Sequence, residues 1–134
     1  HNNALSHFHA IILCSDNPEE TIARYCWLTN QSSPKRTFGS SWQVELGQQK
    51  IIVCSEEDAE RIVPEINVTN VPSILGYALL TESLSKTKDC FFDNKLLLQS
   101  LNRGSFLAEL PDFISGNLII GTSAADFPWN GDFN

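Results

Sequence analysis

Two stretches of this chain resemble one another, and that internal repeat restricts the fold more than any other feature of the sequence. The apolar run at 9–13 leads through Asn17 and Pro18 into a helical pattern, and a second apolar run at 76–80 leads through Ser83 into another. The matched segments lie roughly 65 residues apart, a spacing typical of repeated structural units. Because one unit cannot cover its own apolar sheet face, the two units are predicted to pack into one domain.

The repeat continues into the segments that follow each helix. The segment 42–46 is matched by 106–110, and the segment 50–53 is matched by 117–120. Apolar and polar residues alternate along 42–46, as they do in strands that cover a core on one side. Each half therefore predicts a strand, a helix and then a run of further strands.

Several local signals place the first elements. A strand is predicted at 7–14, and Asn17 is a good cap for the helix that follows. Pro18 suits the first helical position, and Glu20 stands three residues after the cap. The residues at 55–58, Ser-Glu-Glu-Asp, combine a cap with an acidic first turn and predict a second, short helix.

The remaining elements follow from the same kinds of signal. We expect a helix at 83–94 and strands at 42–46, 50–54, 95–101, 105–110 and 118–120. The three residues at 47–49 include a glycine and predict a hairpin connection. In the tail, Phe127 and Trp129 are predicted to dock on the surface.

The length and composition of the chain are typical of a single globular domain. The chain has 134 residues, of which 42% are hydrophobic and 19% are charged. We expect a single domain over 1–134, with modules at about 5–63 and 73–121 and an irregular tail at 122–134. The chain lacks methionine even at position 1, which predicts a piece of a longer protein or a processed chain.

Charge and cysteine spacing exclude several classes of partner. The net charge of -7 disfavours nucleic acid and anionic membranes, and it fits a cationic ligand. No apolar run approaches the roughly 20 residues that span a bilayer. The four cysteines form no C-x-x-C pair, so a zinc knuckle is disfavoured. Buried, reduced thiols predict a cytoplasmic location.

The order of these elements resembles the vicinal oxygen chelate superfamily, the group of glyoxalases, bleomycin-resistance proteins and dioxygenases. His9, followed seven positions later by Asp16 and then by the capped helix, resembles the start of that family's first module. The segment 42–47, Trp-Gln-Val-Glu-Leu-Gly, resembles a strand of glyoxalase-like domains. The resemblance covers about 5–121 and implies an α+β fold, in which two βαβββ modules form a mixed β-sheet curved into a cup.

The resemblance also implies four places where metal-using members hold a divalent ion, on the first and last strands of each module. His9 occupies the first place, and Gly76 matches it in the second module. The last strands, 50–53 and 117–120, supply no carboxylate or imidazole, and Asn117 is a poor ligand for a transition metal. Because one histidine cannot hold a catalytic ion, we predict no metal, no cofactor and no assigned catalytic residue.

Two glutamates occupy matching places in the modules. Glu45 and Glu109 each lie between apolar neighbours on a predicted strand. Because successive side chains point to opposite faces, both glutamates point to the face opposite that of their apolar neighbours. If that face lines the cup, they meet Gln43 and His9 there. The alternatives are that both carboxylates face solvent and that His9 is a packed strand residue. We predict a ligand site of His9, Gln43, Glu45 and Glu109, suited to a cationic or hydrogen-bonding small molecule.

Three functions are compatible with these observations. The first is a metal-free, bleomycin-resistance-like domain that binds a small molecule in its cup. The second is a metal-dependent lyase, isomerase or dioxygenase whose site is completed by another module or a dimer partner. The third is a structural half-domain of a longer enzyme. A homodimer or a covalently linked sister module is the expected protein partner, and exposed Trp27 with the aromatic tail would suit such pairing.

Overall fold

The computed structural model describes residues 4–31, 33–63, 71–101, 104–111 and 116–130. The first half contains β1 (Leu5–Cys14), α1 (Pro18–Leu28), β2 (Lys35–Arg36), β3 (Trp42–Leu46), β4 (Gln49–Cys54) and α2 (Glu56–Ile62). The second half contains β5 (Ser73–Thr81), α3 (Leu84–Asp93), β6 (Leu98–Ser100), β7 (Phe106–Glu109) and β8 (Asn117–Gly121). Two short 3₁₀ turns, Ala124–Asp126 and Pro128–Asn130, follow β8.

The strands form one mixed, curled sheet of eight, in the order β2-β3-β4-β1-β5-β8-β7-β6. Within each half the first and last strands are parallel neighbours, β1 with β4 and β5 with β8. The two halves join in the middle, where β1 and β5 run antiparallel. Each half is a βαβββ module, so the predicted α+β fold with two such modules is confirmed.

The pairing of β1 with β5 is symmetric, because exchanging equivalent residues of the two modules converts one residue pair into another. Ala10 pairs with Ala78, and Ile12 pairs with Gly76. The register shifts at Ser6 and His9 on β1 and at Leu75 on β5, each an extra residue in its strand. His9 and Leu75 lie 66 positions apart in the chain, so this irregularity occurs in both modules. Such β-bulges redirect side chains and increase the local twist.

The turn from the first strand into the helix of each module uses the same hydroxyl pair. Ser15 Oγ lies 2.7 Å from Thr21 Oγ1, and Thr81 Oγ1 lies 2.7 Å from Thr87 Oγ1. In the second module the Ser83 backbone N–H also donates to Thr81 Oγ1 at 3.1 Å. These bonds satisfy polar groups where the chain leaves the sheet, which is why Ser15, Thr81 and Thr87 can be buried.

Side-chain caps begin all three α-helices, and those at Asn17 and Ser55 were predicted from the sequence. Asn17 accepts a hydrogen bond from the Glu20 backbone N–H at 3.3 Å, and Ser83 accepts one from Lys86 at 3.3 Å. Ser55 accepts one from Asp58 at the start of α2. Each cap provides a partner for one of the N–H groups that a helix leaves unpaired at its start.

One face of the sheet, here called the helical face, is covered by α1 and α3. Ile22 and Cys26 of α1 pack on Val44 and Val53, while Phe91 of α3 packs on the second module. The helical stripes predicted from the sequence therefore face the sheet. Each module has its own small core on this side.

The other face, here called the inner face, carries the largest core and is covered by α2 and the C-terminal turns. The strands contribute residues with no or little exposure, among them Ala10, Ile12, Ile52, Ala78 and Ile119. The segments that pack over this face contribute Ala59 and Ile62 from α2, and Phe127 and Trp129 from the C-terminal turns. A continuous apolar layer thus joins both modules, in the way that a two-layer domain requires.

The C-terminal tail differs from its prediction. Residues 124–130 form two 3₁₀ turns rather than an irregular segment, and Phe127 and Trp129 are 0% and 2% exposed. They lie within the core rather than on the surface. Asp126 holds the first turn, since its carboxylate accepts hydrogen bonds from the Thr122 N–H and hydroxyl at 3.0 and 2.7 Å.

Two further element boundaries differ from the expectation. Leu46 pairs with Gln49, so the hairpin connection contains two residues instead of three. The strand predicted at 95–101 is limited to Leu98–Ser100, because residues 94 and 95 end α3. Lys95 there adopts a left-handed conformation with φ of 63°, and its N–H donates to Phe92.

A buried carboxylate fastens α2 to the β2–β3 connection. Asp58 is 2% exposed, and it accepts hydrogen bonds from the Ser40 N–H at 2.9 Å and the Ser41 hydroxyl at 2.7 Å. Gly39 has a positive φ of 51°, and a side chain there would collide with the Asp58 carboxylate. This arrangement keeps α2 against the inner face.

None of the described helices is long and apolar enough to cross a membrane.

The repeated hydroxyl pair leads to a stability prediction. Thr87→Val keeps the shape of the side chain but removes the hydroxyl that contacts Thr81 and the Ser83 carbonyl. We expect the free energy of unfolding to fall by about 1–2 kcal/mol, because buried polar groups lose a partner. Chemical denaturation measures this change. The exposed control Ser85→Ala on the same helix should change it by less than about 0.5 kcal/mol; equal effects would contradict the interpretation.

Candidate ligand-binding site

The register places both predicted glutamates on the inner face at equivalent positions. Glu45 pairs with Lys50, which in turn pairs with Ala10 of β1. In the second module Glu109 pairs with Asn117, which pairs with Gly76 of β5. Since paired residues on neighbouring strands point to the same side, each glutamate shares a face with the inner core.

The four predicted ligand residues do not form one cluster. Glu45 and Glu109 are exposed, Gln43 is half-buried and His9 is buried. Four strands separate β3 from β7, so the two carboxylates lie five strand spacings apart, roughly 24 Å measured along the sheet. Gln43 and Glu45, two residues apart on β3, are the pair that the structure brings together.

Gln43 and Glu45 line a polar cleft at the edge of the sheet. It has a volume of about 350 Å³ and is bordered by Gln31, Ser33, Lys35, Gln43, Val44, Glu45 and Gly47. A larger and mainly apolar cleft of about 500 Å³ lies between α1 and the start of β5. Neither cleft includes His9, so the predicted site is divided between the edge and the inner face.

His9 begins a stack of three aromatic rings on the inner face. Its imidazole lies 5.1 Å from the Phe127 ring, at an interplanar angle of 18°. Phe127 in turn stacks on Trp129 at 4.8 Å and 11°. The β-bulge at position 9 explains this orientation, because the extra residue turns a side chain of β1 toward the core.

The two ends of this stack carry nitrogen atoms that have no hydrogen-bond partner among the described residues. These atoms are Nε2 of His9 and Nε1 of Trp129, and both are buried. His9 is 7% exposed and Trp129 is 2% exposed. Buried polar atoms without a partner are uncommon, and each costs about 1–3 kcal/mol. A bound hydrogen-bonding group would remove that cost.

The surroundings of His9 favour its neutral form. Burial lowers the pKa of the imidazole below 6.5, and the positive charge of Lys50 lowers the pKa further. A neutral imidazole has one N–H donor and one acceptor nitrogen, so His9 can pair with either kind of ligand group. Lys50 is half-buried on β4, beside the strand that carries His9.

The donor set does not fit the divalent ion that the fold family implies. The structural counterpart of His9 is Leu75 rather than Gly76, because the two bulge residues are equivalent. The Nδ2 of Asn117 donates to the Leu75 carbonyl at 3.1 Å, and the amide oxygen that remains is a poor ligand for a transition metal. The positive charge of Lys50 near His9 would also repel a cation. Within the described ranges, no three His, Cys, Asp or Glu side chains come together as ligands.

Reasoning from the sequence found His9 but not Trp129 or Lys50. Trp129 lies in a tail without periodicity, and its position depends on the path of the chain after β8. Lys50 lies on a strand that the repeat predicted, yet its effect on His9 follows from the pairing of β4 with β1. The one available signal was the density of aromatic residues in the tail.

Comparisons with known proteins agree with this architecture. No family model matches the chain, and no curated protein matches it. Among solved structures, methylmalonyl-CoA epimerase from Mycobacterium tuberculosis is similar, with a TM-score of 0.65, 10% identity, and coverage of 90% of this chain and 89% of that one. Methylmalonyl-CoA epimerase from Streptomyces coelicolor, in complex with 2-nitronate-propionyl-CoA, has a TM-score of 0.60, 11% identity, and coverage of 89% and 99%. At such identities the likeness shows the fold alone, and the predicted glyoxalase-like fold is confirmed.

The lowered pKa of His9 leads to a pH prediction. The unfolded chain binds a proton at His9 near pH 6.5, whereas the folded protein binds it at a lower pH. The free energy of unfolding should therefore fall as the pH is lowered from 7.5 through 6.5 toward the folded pKa. His9→Phe should remove this part of the slope in denaturation measured from pH 5 to 8.

His7→Gln is the matched control for that measurement. It changes an exposed histidine on the same strand and leaves His9 in place, so it should keep the slope. An unchanged slope in His9→Phe would show that His9 is not the group responsible.

Proposed function

We propose that this domain, which has the glyoxalase-like fold, binds a small organic molecule at the inner face without a metal ion. The observation that carries the proposal is the pair of buried nitrogens, Nε2 of His9 and Nε1 of Trp129, that lack partners among the described residues. Polar groups placed in an apolar pocket are what fix the orientation of a ligand. A ligand that forms a hydrogen bond with either nitrogen removes the free-energy penalty of leaving that buried atom without a partner.

The chemistry of the inner face favours a flat, uncharged molecule with a polar group. The stacked rings of His9, Phe127 and Trp129 are buried next to the two nitrogens, so a ligand that inserts there meets aromatic rings, and both nitrogens suit hydrogen bonding. The positive charge of Lys50 disfavours a cationic group beside His9. The net charge of -7 disfavours an anion. The cationic ligand expected from the sequence is therefore a weaker candidate at His9 than a neutral one.

A titration with matched fragments tests this proposal. Benzamide, benzamidinium and benzoate share one shape and differ in charge, and the three indole N–H signals of the protein can be followed by NMR. We expect the Trp129 signal to shift with benzamide most, with benzamidinium less and with benzoate least. Trp27, which is 79% exposed, is the internal control whose signal should stay in place.

A substitution separates binding from a general effect on the fold. His9→Phe keeps a ring stacked on Phe127 but removes the nitrogens, so we expect about tenfold weaker binding. The control Trp27→Phe should bind as the unmodified protein does. If no fragment shifts the Trp129 signal, or if His9→Phe binds equally well, the inner face is not the site.

A structural role is the second candidate, and exposed apolar side chains favour it. Trp27, Leu28, Phe92 and Leu97 are 79%, 68%, 75% and 70% exposed. We propose that a sister module or a second copy covers part of this surface. If so, sedimentation equilibrium should give a mass that rises with concentration, and Trp27→Ser should shift the mass toward the monomer. A monomer throughout, in both proteins, would reject self-association.

A further inference from the structure

Two cysteines that are distant in sequence meet in the inner core. Cys14 and Cys54 are the last residues of β1 and β4, and the parallel register pairs them directly. Both are fully buried, and their thiols are close enough to interact with each other. Cys54 Sγ also lies 3.4 Å from the Leu13 carbonyl oxygen, to which it can donate. The proposed ligand site uses neither thiol.

We infer that Cys14 and Cys54 are a site of reversible oxidation, at which a hydroperoxide converts the two thiols into an intramolecular disulfide. Neighbouring strands lie about 4.8 Å apart. Disulfides typically join residues whose Cα atoms are about 4.4–6.8 Å apart. The backbone of β1 and β4 can therefore accept the bond without separating the strands.

The hydrogen bond that Cys54 donates assigns the roles of the two thiols. Its Sγ lies 3.4 Å from the Leu13 carbonyl oxygen, and this bond needs the protonated thiol. Cys14 is therefore the nucleophile, since the thiolate rather than the thiol reacts with peroxide. Cys54 holds its proton until the second step.

The reaction balances in two steps. The Cys14 thiolate attacks the terminal oxygen of the hydroperoxide, so that an S–O bond forms and the O–O bond breaks. The leaving alkoxide, or hydroxide when the oxidant is hydrogen peroxide, takes up a proton. The Cys54 sulfur then attacks the Cys14 sulfur of the sulfenic acid. The S–S bond forms, the S–O bond breaks, and hydroxide leaves as water with the Cys54 proton. The two thiols thus supply the two electrons that reduce one hydroperoxide.

The new bond would fasten the first strand of the module to its last. It would enclose α1, β2 and β3 in a covalent loop and restrict the unfolded chain. We expect the Tm to rise on the order of 10 °C on oxidation and to return after treatment with a dithiol reductant.

Hydrogen peroxide acting on the folded chain tests this inference. In the double variant C26S/C90S, Cys14 and Cys54 are the remaining cysteines. Oxidation should lower the intact mass by about 2 Da, as expected for loss of two hydrogens. Trypsin without reductant should then release the peptides 1–24 and 51–61 as one linked species, and dithiothreitol should separate them.

A second variant identifies the nucleophile. In Cys54→Ala the sulfenic acid at Cys14 has no partner, so dimedone should label Cys14 after peroxide treatment, provided that circular dichroism shows a folded protein. The half-buried Cys90 of the unmodified protein reports that peroxide was active. If Cys90 is oxidised while Cys14 and Cys54 can still be alkylated after unfolding, the inference is wrong. Oxidation of both without a linked peptide would equally overturn it.

Discussion

The antiparallel pairing of β1 with β5 is the contact on which the rest of the structure depends. It joins two four-stranded half-sheets into one sheet of eight and makes their inner faces continuous. The largest core contains residues of both halves, including Ile12 and Ile52 from one and Ala78 and Ile119 from the other. Neither module could bury this apolar area alone, which is the physical reason for reading the repeat as one domain.

The irregularities in that pairing are as informative as the pairing itself. Each module has an extra residue in its first strand, His9 in one and Leu75 in the other. The same structural position thus carries a stacked imidazole in one half and an aliphatic side chain in the other. A duplicated scaffold with unequal side chains produces an asymmetric inner face, in which the buried imidazole lies in the first module.

The inner face combines requirements that oppose each other. Phe127 and Trp129 complete the core, yet the stack that contains them leaves two nitrogen atoms buried without partners among the described residues. The positive charge of Lys50 beside His9 favours the neutral imidazole and disfavours a cation at the same place. The proposed binding of a neutral organic molecule rests on this combination of unpartnered nitrogens and a nearby positive charge.

Local sequence determined the elements and their order. The helices begin at Asn17 and Ser83, whose side chains accept hydrogen bonds from the first backbone N–H groups, and Pro18 suits the first helical position. These interactions lie within a few residues, so they do not depend on the rest of the fold. The matched glutamates at 45 and 109 were equally predictable, because strand alternation is also local. Tertiary structure alone decided what depends on pairing between distant segments: the bulge that turns His9 inward, the burial of Trp129 and the meeting of Cys14 with Cys54. Strand register and the path of the tail set these contacts, and neither is encoded in a short stretch of residues.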